Sequence, residues 1–574
     1  MQQGQDDDVK GTRGARPISR RAFLRALAGL TGGAGLTIVA AACGTAQGPQ
    51  SGAAPTDAPA AAPTSAPAAA APTSAPATSA PAAGPSRGGS ITWAIETDPV
   101  QMLPFGAVTT ESHWAREFVY DSLVAWDRDI NVQPALAESW ETPDERTWIW
   151  NLRRGVRFHN GKELTAEDVK YSMDLQADPP EPGVPSPFYP RTLESVEVVD
   201  DYTVRFNMAG PDPTVLGYLA WSRYSPMVPA GLYEQINVQT EAIGTGPFQL
   251  VEFVPNDRVV YTRAESFWNP ELPYLDDLTL KVLPDESARV AALRSGAVVG
   301  ATVSADTARQ LEGDPDLVVL SGLFAAPRVL QFTIKDDSQP WSNKLVRQAI
   351  SRAIDRDLII ENVYGGEAEL SGPIPPGYGD WFLPNEELAG NWLRYDPEEA
   401  KRLLAEAGYD GGFEITLHSR TDDFARISEI VQAQLEPLGI RVNVIVEELS
   451  TFAQRVGEGT YDWCTTGRGM RHDPTGFLVD FGRPTTGVPG RWFGEGNGWK
   501  NDELMGLFEQ MAVNLDNESR HEQVRRIQEL TLDEMPHVYL VQNRKFHVVR
   551  RELQDMYVAY TDFHTGLRSA WLNA

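Results

Sequence analysis

From Gly44 to about Gly88 the chain is built almost wholly from Ala, Pro, Thr, Ser and Gly, in units such as Ala-Pro-Thr-Ser-Ala-Pro. Such a stretch holds almost nothing apolar enough to offset the entropy of ordering it. Its prolines favour an extended, semi-rigid course. Residues 44–88 therefore read as a linker, and the folded body must come from residues 89–574. That is enough chain for a large α/β protein of more than one lobe. The 574-residue chain carries 50 basic and 79 acidic residues, a formal charge of −29. That balance excludes nucleic acid as the expected partner, because phosphate binding needs a basic face.

The residues before the linker have the layout of an export signal. A polar start contains Arg13, Arg16, Arg20 and Arg21, and an apolar Gly/Ala-rich stretch follows from about Ala26 to Ala42. It is too short and too weakly apolar for a membrane-spanning helix. The run Ser19-Arg20-Arg21-Ala22-Phe23-Leu24-Arg25 resembles the twin-arginine export signal. Small residues Ala40-Ala41-Ala42 precede Cys43, which resembles a lipobox cysteine, although Ala40 stands where an aliphatic residue is usual. Residues 1–43 are thus expected to be a signal peptide ending at a lipidated Cys43. Cys464 is the only other cysteine, so lipidation at Cys43 leaves no internal disulfide.

Within the body, Ser90 to Ile95, Trp148 to Leu152, Val196 to Val199 and Tyr202 to Phe206 read as strands. Thr165 reads as the N-cap of a helix whose first turn is acidic. The later part alternates helix and strand. Leu345, Ala349, Ile350 and Ala353 share one helical face, with Gly365-Gly366 as the stop. Asp396-Pro397-Glu398-Glu399 opens another helix as an N-cap followed by proline at the first position. A strand from Phe413, a helix through Leu435 and a strand from Ile440 to Val446 form a βαβ unit with parallel strands. The fold class expected is α/β, two lobes enclosing a cleft, the usual place for a ligand.

Several motifs then occur in a fixed order. They are Leu136-Ala-Glu-Ser-Trp140, Leu152-Arg-Arg-Gly-Val-Arg-Phe-His159, Leu164-Thr-Ala-Glu-Asp-Val169 and Gly244-Thr-Gly-Pro-Phe248. Val346-Arg-Gln-Ala-Ile350, Ala353-Ile-Asp-Arg356, Gly372-Pro-Ile-Pro-Pro376 and Tyr395-Asp-Pro-Glu-Glu-Ala400 follow. In this order they resemble the extracytoplasmic solute-binding proteins of ABC importers, in the peptide/nickel class. The resemblance implies a bilobal periplasmic-binding-protein-like fold with an extra subdomain and a hinge, which closes on a ligand and docks on a membrane permease. It implies an extracytoplasmic, lipid-anchored monomer without cofactor or catalytic activity. The first lobe is expected at about 89–284 plus 538–574, and the second at about 285–537.

The resemblance also points to the segment from Tyr461 to Pro474 as ligand-lining. Trp463 matches the family's pocket tryptophan, and Thr466 stands where the peptide-binding members carry the aspartate that pairs with the peptide's amino group. Asp473 is the first carboxylate after Trp463. Arg468 and Arg471 place positive charge nearby, which suits carboxylates or phosphates. Trp221, Trp492 and Phe493 are candidate aromatic walls. Peptide, capped peptide, sugar and nickel remain open as cargo, and a sensor or scaffold lipoprotein is the alternative role. No His-Glu-x-x-His, Cys-x-x-Cys, P-loop or dinucleotide fingerprint occurs, and nothing singles out a catalytic carboxylate pair.

Overall fold

A computed structural model describes residues 84–573, apart from 106–109, 181–188, 191, 335–336, 468, 470, 472, 479–500 and 561–563. Three sheets organise it. The first has eight strands, in the order Leu317–Leu323, Val541–Arg550, Gly300–Val303, Ser90–Ile95, Asp277–Val282, Arg258–Arg263 and Phe248–Val254. Ala368–Leu370 adds to it by pairing with Val541–Arg550. Ser90–Ile95 forms where the alternating pattern places it, and Ile91, Trp93 and Ile95 are buried. It runs parallel to both neighbours, with Trp93 opposite Leu280 on one side and Gly300 on the other.

A four-stranded antiparallel sheet follows the first strand, in the order Ala137–Asp144, Thr147–Leu152, Thr203–Met208 and Leu193–Asp200. Trp148, Trp150 and Leu152 point inward from one strand at period two. They meet the helix Ala166–Ala177 in one apolar cluster. That helix starts at Thr165, as its sequence predicts. The buried Asp168 carboxylate accepts from the Thr165 backbone N–H at 3.0 Å and from the Ala230 N–H at 2.8 Å.

The five-stranded sheet of the later half runs Arg441–Glu447, Glu414–Arg420, Trp463–Gly467, Arg328–Phe332 and His537–Tyr539. Glu414–Arg420 and Arg441–Glu447 are parallel, and the helix Asp423–Leu435 is the crossover, which is the βαβ unit read from the sequence. The helix Pro397–Glu406 begins at Asp396, whose carboxylate accepts from the Glu399 N–H at 3.0 Å.

Sheet membership shifts the expected division of the chain. Gly300–Val303 and Leu317–Leu323 belong to the first sheet, so the changeover lies between Leu323 and Arg328, not near Pro284. The return falls between Tyr539 and Val541 rather than at 538. The helices Glu286–Ser295 and Ala305–Leu311 carry the helix–strand texture of the later half. Their strands nonetheless extend the sheet already begun, burying Leu293, Ala308 and Leu311 against Val303 and Val548.

Arg328 stands at the changeover. Its buried guanidinium pairs with Asp423 at 2.7 Å and donates to the Ala326 carbonyl at 2.7 Å, and the Tyr364 hydroxyl donates to the same carboxylate. Burial alone would raise the Asp423 pKa, but the Arg328 guanidinium and the Tyr364 hydroxyl outweigh it and hold the carboxyl below its ordinary value. A depressed acid contributes stability that is present above its unfolded pKa of about 4 and is lost as the pH falls through the folded value. Asp423→Asn should therefore lower the unfolding midpoint at neutral pH and flatten its decline below about pH 4, read by thermal melts across pH. Packing sets a second limit. A Cβ at Gly300 would stand 2.1 Å from the Trp93 ring. Gly300→Ala should destabilise by about 1–3 kcal/mol through overpacking, seen as a lower denaturant midpoint.

Candidate ligand-binding site

The strand Trp463–Gly467 alternates faces, and that phase decides what its residues can do. Trp463 is fully buried, with its ring edge-on to Phe332 at 5.1 Å and to Trp341 at 5.7 Å. It packs within the main hydrophobic cluster of this half. Thr465 shares its face and bonds Ser428 of the crossover helix, Oγ to Oγ at 2.8 Å. Cys464 takes the other face and is buried with Phe452 and Tyr461. Thr466 follows Cys464 by two, shares its face and is half-buried.

The residues beyond the strand are held by internal partners. The Tyr378 hydroxyl donates to the Arg471 carbonyl at 2.8 Å and accepts from the Arg471 N–H at 3.2 Å. The Arg471 guanidinium reaches back to the Gly469 carbonyl at 3.0 Å and lies 5.8 Å from the Phe477 ring. Asp473 is buried and pairs with Arg520 at 2.9 Å. It also accepts from the Thr475 N–H at 2.9 Å and from the Thr475 hydroxyl. Its carboxylate thus closes the turn at Asp473–Thr475 and neutralises Arg520. Arg468, Trp492 and Phe493 lie outside the described residues, as do Cys43, Arg20 and Arg21.

Trp221 stands elsewhere, on a cavity of about 370 Å³. The indole is largely buried, 5.8 Å from the Trp126 ring and edge-on to Tyr224 at 4.6 Å. Trp126, Trp268 and Tyr557 supply further aromatic wall. The polar centre is Asp121, buried where the chain leaves the apolar run Phe118–Tyr120. Asp121 accepts from the Trp268 indole N–H at 2.9 Å, from the Thr245 hydroxyl at 3.3 Å, and from the Arg568 guanidinium. Arg568 also donates to the Glu117 carbonyl at 3.0 Å, and Thr565 donates to the Glu117 carboxylate at 2.9 Å. Arg128 reaches the rim, paired with Asp555 at 2.6 Å and stacked 4.2 Å over the Tyr557 ring.

Gly244-Thr245-Gly246 explains how Thr245 arrives there. A Cβ on Gly244 would stand 2.1 Å from the Val119 carbonyl oxygen, and one on Gly246 would stand 2.6 Å from that of Phe118. The glycines let two backbones touch, and the threonine between them is delivered to Asp121. Sequence reasoning missed Asp121, Trp126, Trp268 and Arg568. The available signal was a carboxylate set directly after an apolar run, a placement that requires partners.

Flat rings at the wall and paired charges at the centre suit a ligand with both apolar and polar parts. Among the described residues no three His, Cys, Asp or Glu side chains converge as metal ligands, so the nickel alternative finds no ligand set there.

Comparison with known proteins identifies the family and the fold. Residues 131–487 match the family model for bacterial extracellular solute-binding proteins, family 5. Heme-binding protein A of Haemophilus influenzae is 33% identical over 402 residues, covering 63% of this chain and 70% of its own. The dipeptide-binding protein of Escherichia coli is 28% identical over 462 residues, covering 74% of this chain and 83% of its own. Among solved structures, the ABC transporter-associated periplasmic binding protein DppA of Helicobacter pylori, in complex with the peptide STSA, superposes with a TM-score of 0.71 at 25% identity, over 85% of this chain and 99% of that one. The fold is therefore that of the bilobal periplasmic binding proteins, and the chain belongs to the bacterial extracellular solute-binding proteins of family 5.

Proposed function

We propose that this solute-binding protein is the extracytoplasmic receptor of an ABC importer, taking up a peptide or a related small solute and handing it to a membrane permease. The family is one of solute-binding proteins rather than enzymes. The observation that carries the cargo reading is the cavity around Trp221, where Trp126, Trp268 and Tyr557 face the Asp121–Arg568 pair. Aromatic walls accept varied side chains, and groups of both signs match a zwitterionic main chain. The relatives named for haem and for dipeptides, and the neighbour bound to STSA, bracket the cargo to be tried. Asp473 is engaged by Arg520, and Asp121, Glu117 and Asp127 are the acids that line the aromatic cavity, where a free amino terminus finds its counter-charge.

A thermal-shift screen tests this with di- to pentapeptides, amino-capped peptides, oligosaccharides, haem and nickel. A ligand that binds the folded state raises the melting temperature by mass action. Free peptides should raise it, and Trp268→Ala should weaken the same peptide at least tenfold, about 1.4 kcal/mol. Peptide binding untouched by Trp268→Ala would move the site elsewhere. A shift with haem or sugar alone would replace the cargo. Uptake that fails in cells lacking the cognate permease, with binding intact, separates importer from sensor.

Export and anchoring complete the reading. Residues 1–43 act as a twin-arginine lipoprotein signal, Cys43 carries the lipid, and residues 44–88 tether a monomeric receptor to the membrane surface. Cys43→Ala should release the protein from the membrane fraction, and the paired change Arg20→Lys, Arg21→Lys should hold it in the cytoplasm, both read by fractionation. Membrane retention of the Cys43→Ala protein would count against the lipid anchor.

A further inference from the structure

His564 stands directly before the one-turn helix Thr565–Arg568 and is its N-cap residue. That turn carries two groups already met at the Trp221 cavity, Thr565 on the Glu117 carboxylate and Arg568 on Asp121. The Leu567 N–H donates to the His564 carbonyl at 2.9 Å, and the Ser569 N–H donates to the Gly566 carbonyl at 3.3 Å. His564 is therefore the first residue of the turn that aims both side chains, and a shift of its ring out of place would carry the turn with it.

The imidazole is buried, at 2% exposure. Trp93 of the first sheet meets it edge-on at 5.7 Å, and Trp114 of the helix Thr110–Arg116 meets it at 5.3 Å. His547 stacks on it at 5.5 Å. His547 is itself fully buried, edge-on to Trp93 at 5.0 Å and with its Nδ1 3.1 Å from the Thr302 hydroxyl. A void of about 10 Å³ adjoins the His564 ring, walled also by Glu96, Trp114, Leu280 and Thr302, and has room for one water at most.

Charged groups around the ring come from each neighbouring element. Glu96 follows the strand Ser90–Ile95, and its carboxylate lies 3.6 Å from the Arg289 guanidinium. Arg289 also donates to the Thr302 carbonyl at 3.0 Å. Lys545 comes from the strand that carries His547, and Glu117 follows the helix that carries Trp114. Asp562 lies outside the described residues. Burial, and after it His547 and Lys545, hold the His564 pKa well below the ordinary histidine value. A depressed base costs stability as the pH falls below its unfolded value of about 6.5, because the opened state takes up the proton. Between pH 7.5 and 5.5 one such histidine raises the opened population about tenfold.

We infer that His564 is a positioning residue of the Trp221 cavity: its neutral imidazole, seated against Trp93, Trp114 and His547, holds the turn that presents Thr565 to Glu117 and Arg568 to Asp121, and acid frees that turn and loosens the cargo. The effect on cargo rests on the cavity reading proposed above, whereas the seating of the turn does not.

Hydrogen–deuterium exchange of the full-length protein tests the seating without any cargo. After correction for intrinsic rates, protection of the Leu567 and Ser569 amides should fall about tenfold from pH 7.5 to 5.5, while the amides of Glu414–Arg420 hold theirs. His564→Gln, which cannot titrate, should abolish that difference, with His113 and His159 left in place. Equal protection at both pH values in the wild type, or an equal loss along Glu414–Arg420, overturns the inference even where the variant does not fold. A pH difference that persists in His564→Gln overturns it too. Trialanine, titrated by calorimetry at the same two pH values, carries the cargo arm. It should bind about tenfold more weakly at pH 5.5 to the wild type, and with little pH dependence to His564→Gln. Equal wild-type affinity at both pH values would refute the loosening of cargo. No binding at pH 7.5 would count against the peptide reading of the cavity, and the exchange result would still decide the role of His564.

Discussion

The structure depends on one continuous run of extended chain serving two sheets. His537–Tyr539 closes the five-stranded sheet and Val541–Arg550 lies inside the eight-stranded one, with only Leu540 between them. The Leu540 N–H donates to the Arg328 carbonyl at 3.1 Å, which ties this crossing to the other one, Leu323 to Arg328. Two adjacent extended segments cannot twist independently when hydrogen-bonded to each other. Ala368–Leu370, paired with Val541–Arg550, adds a further link between the two sheets beside these crossings. Arg328, paired to Asp423, fixes one side of that crossing to the helix Asp423–Leu435.

A further tie crosses the same region. The Tyr560 hydroxyl donates to the Pro376 carbonyl at 2.7 Å, and its ring meets Tyr378 edge-on at 5.1 Å. Gly377 sits between them at φ +107°, and a Cβ there would fall 2.3 Å from the Tyr560 ring. Tyr378 in turn clamps the backbone of Arg471. Chain from the C-terminal part of the first half is thus linked, through two tyrosines, to the segment that follows the Trp463 strand. A ligand that displaced that segment would be felt at the crossing.

Local structure was legible wherever a short-range rule governs it. The βαβ unit from Glu414 to Glu447, the Thr165 and Asp396 helix starts and the buried alternation of Ser90–Ile95 depend on periodicity and capping, which neighbours in sequence decide. Sheet membership was less legible. The strand Gly300–Val303 looks like the opening of a new α/β half until its partners, Ser90–Ile95 and Val541–Arg550, are known, and the second of these lies far along the chain. The site was the least legible part. The motif around Trp463 identifies a strand, but the face on which its tryptophan falls is set by packing against Phe332 and Trp341, which come from another strand and a 3-10 turn. Asp121 needed Thr245, Trp268 and Arg568, three partners scattered along the sequence.

Asp473 shows why a charge near a motif is weak evidence for a ligand contact. A buried carboxylate must be neutralised, and in this chain Arg520 and Thr475 do so from within. Removing that pair to receive an ammonium would leave the Arg520 guanidinium buried and unanswered against Trp381, a cost of several kcal/mol. At Asp121 the same reasoning has a different outcome. Its partner Arg568 is itself on the cavity wall, so a ligand carboxylate can share the guanidinium and a ligand ammonium can share the carboxylate without stranding either in the core. The Arg568 side chain is 21% exposed on that wall, whereas that of Arg520 is 7% exposed, so the cation paired with Asp121 has the more room for a new partner.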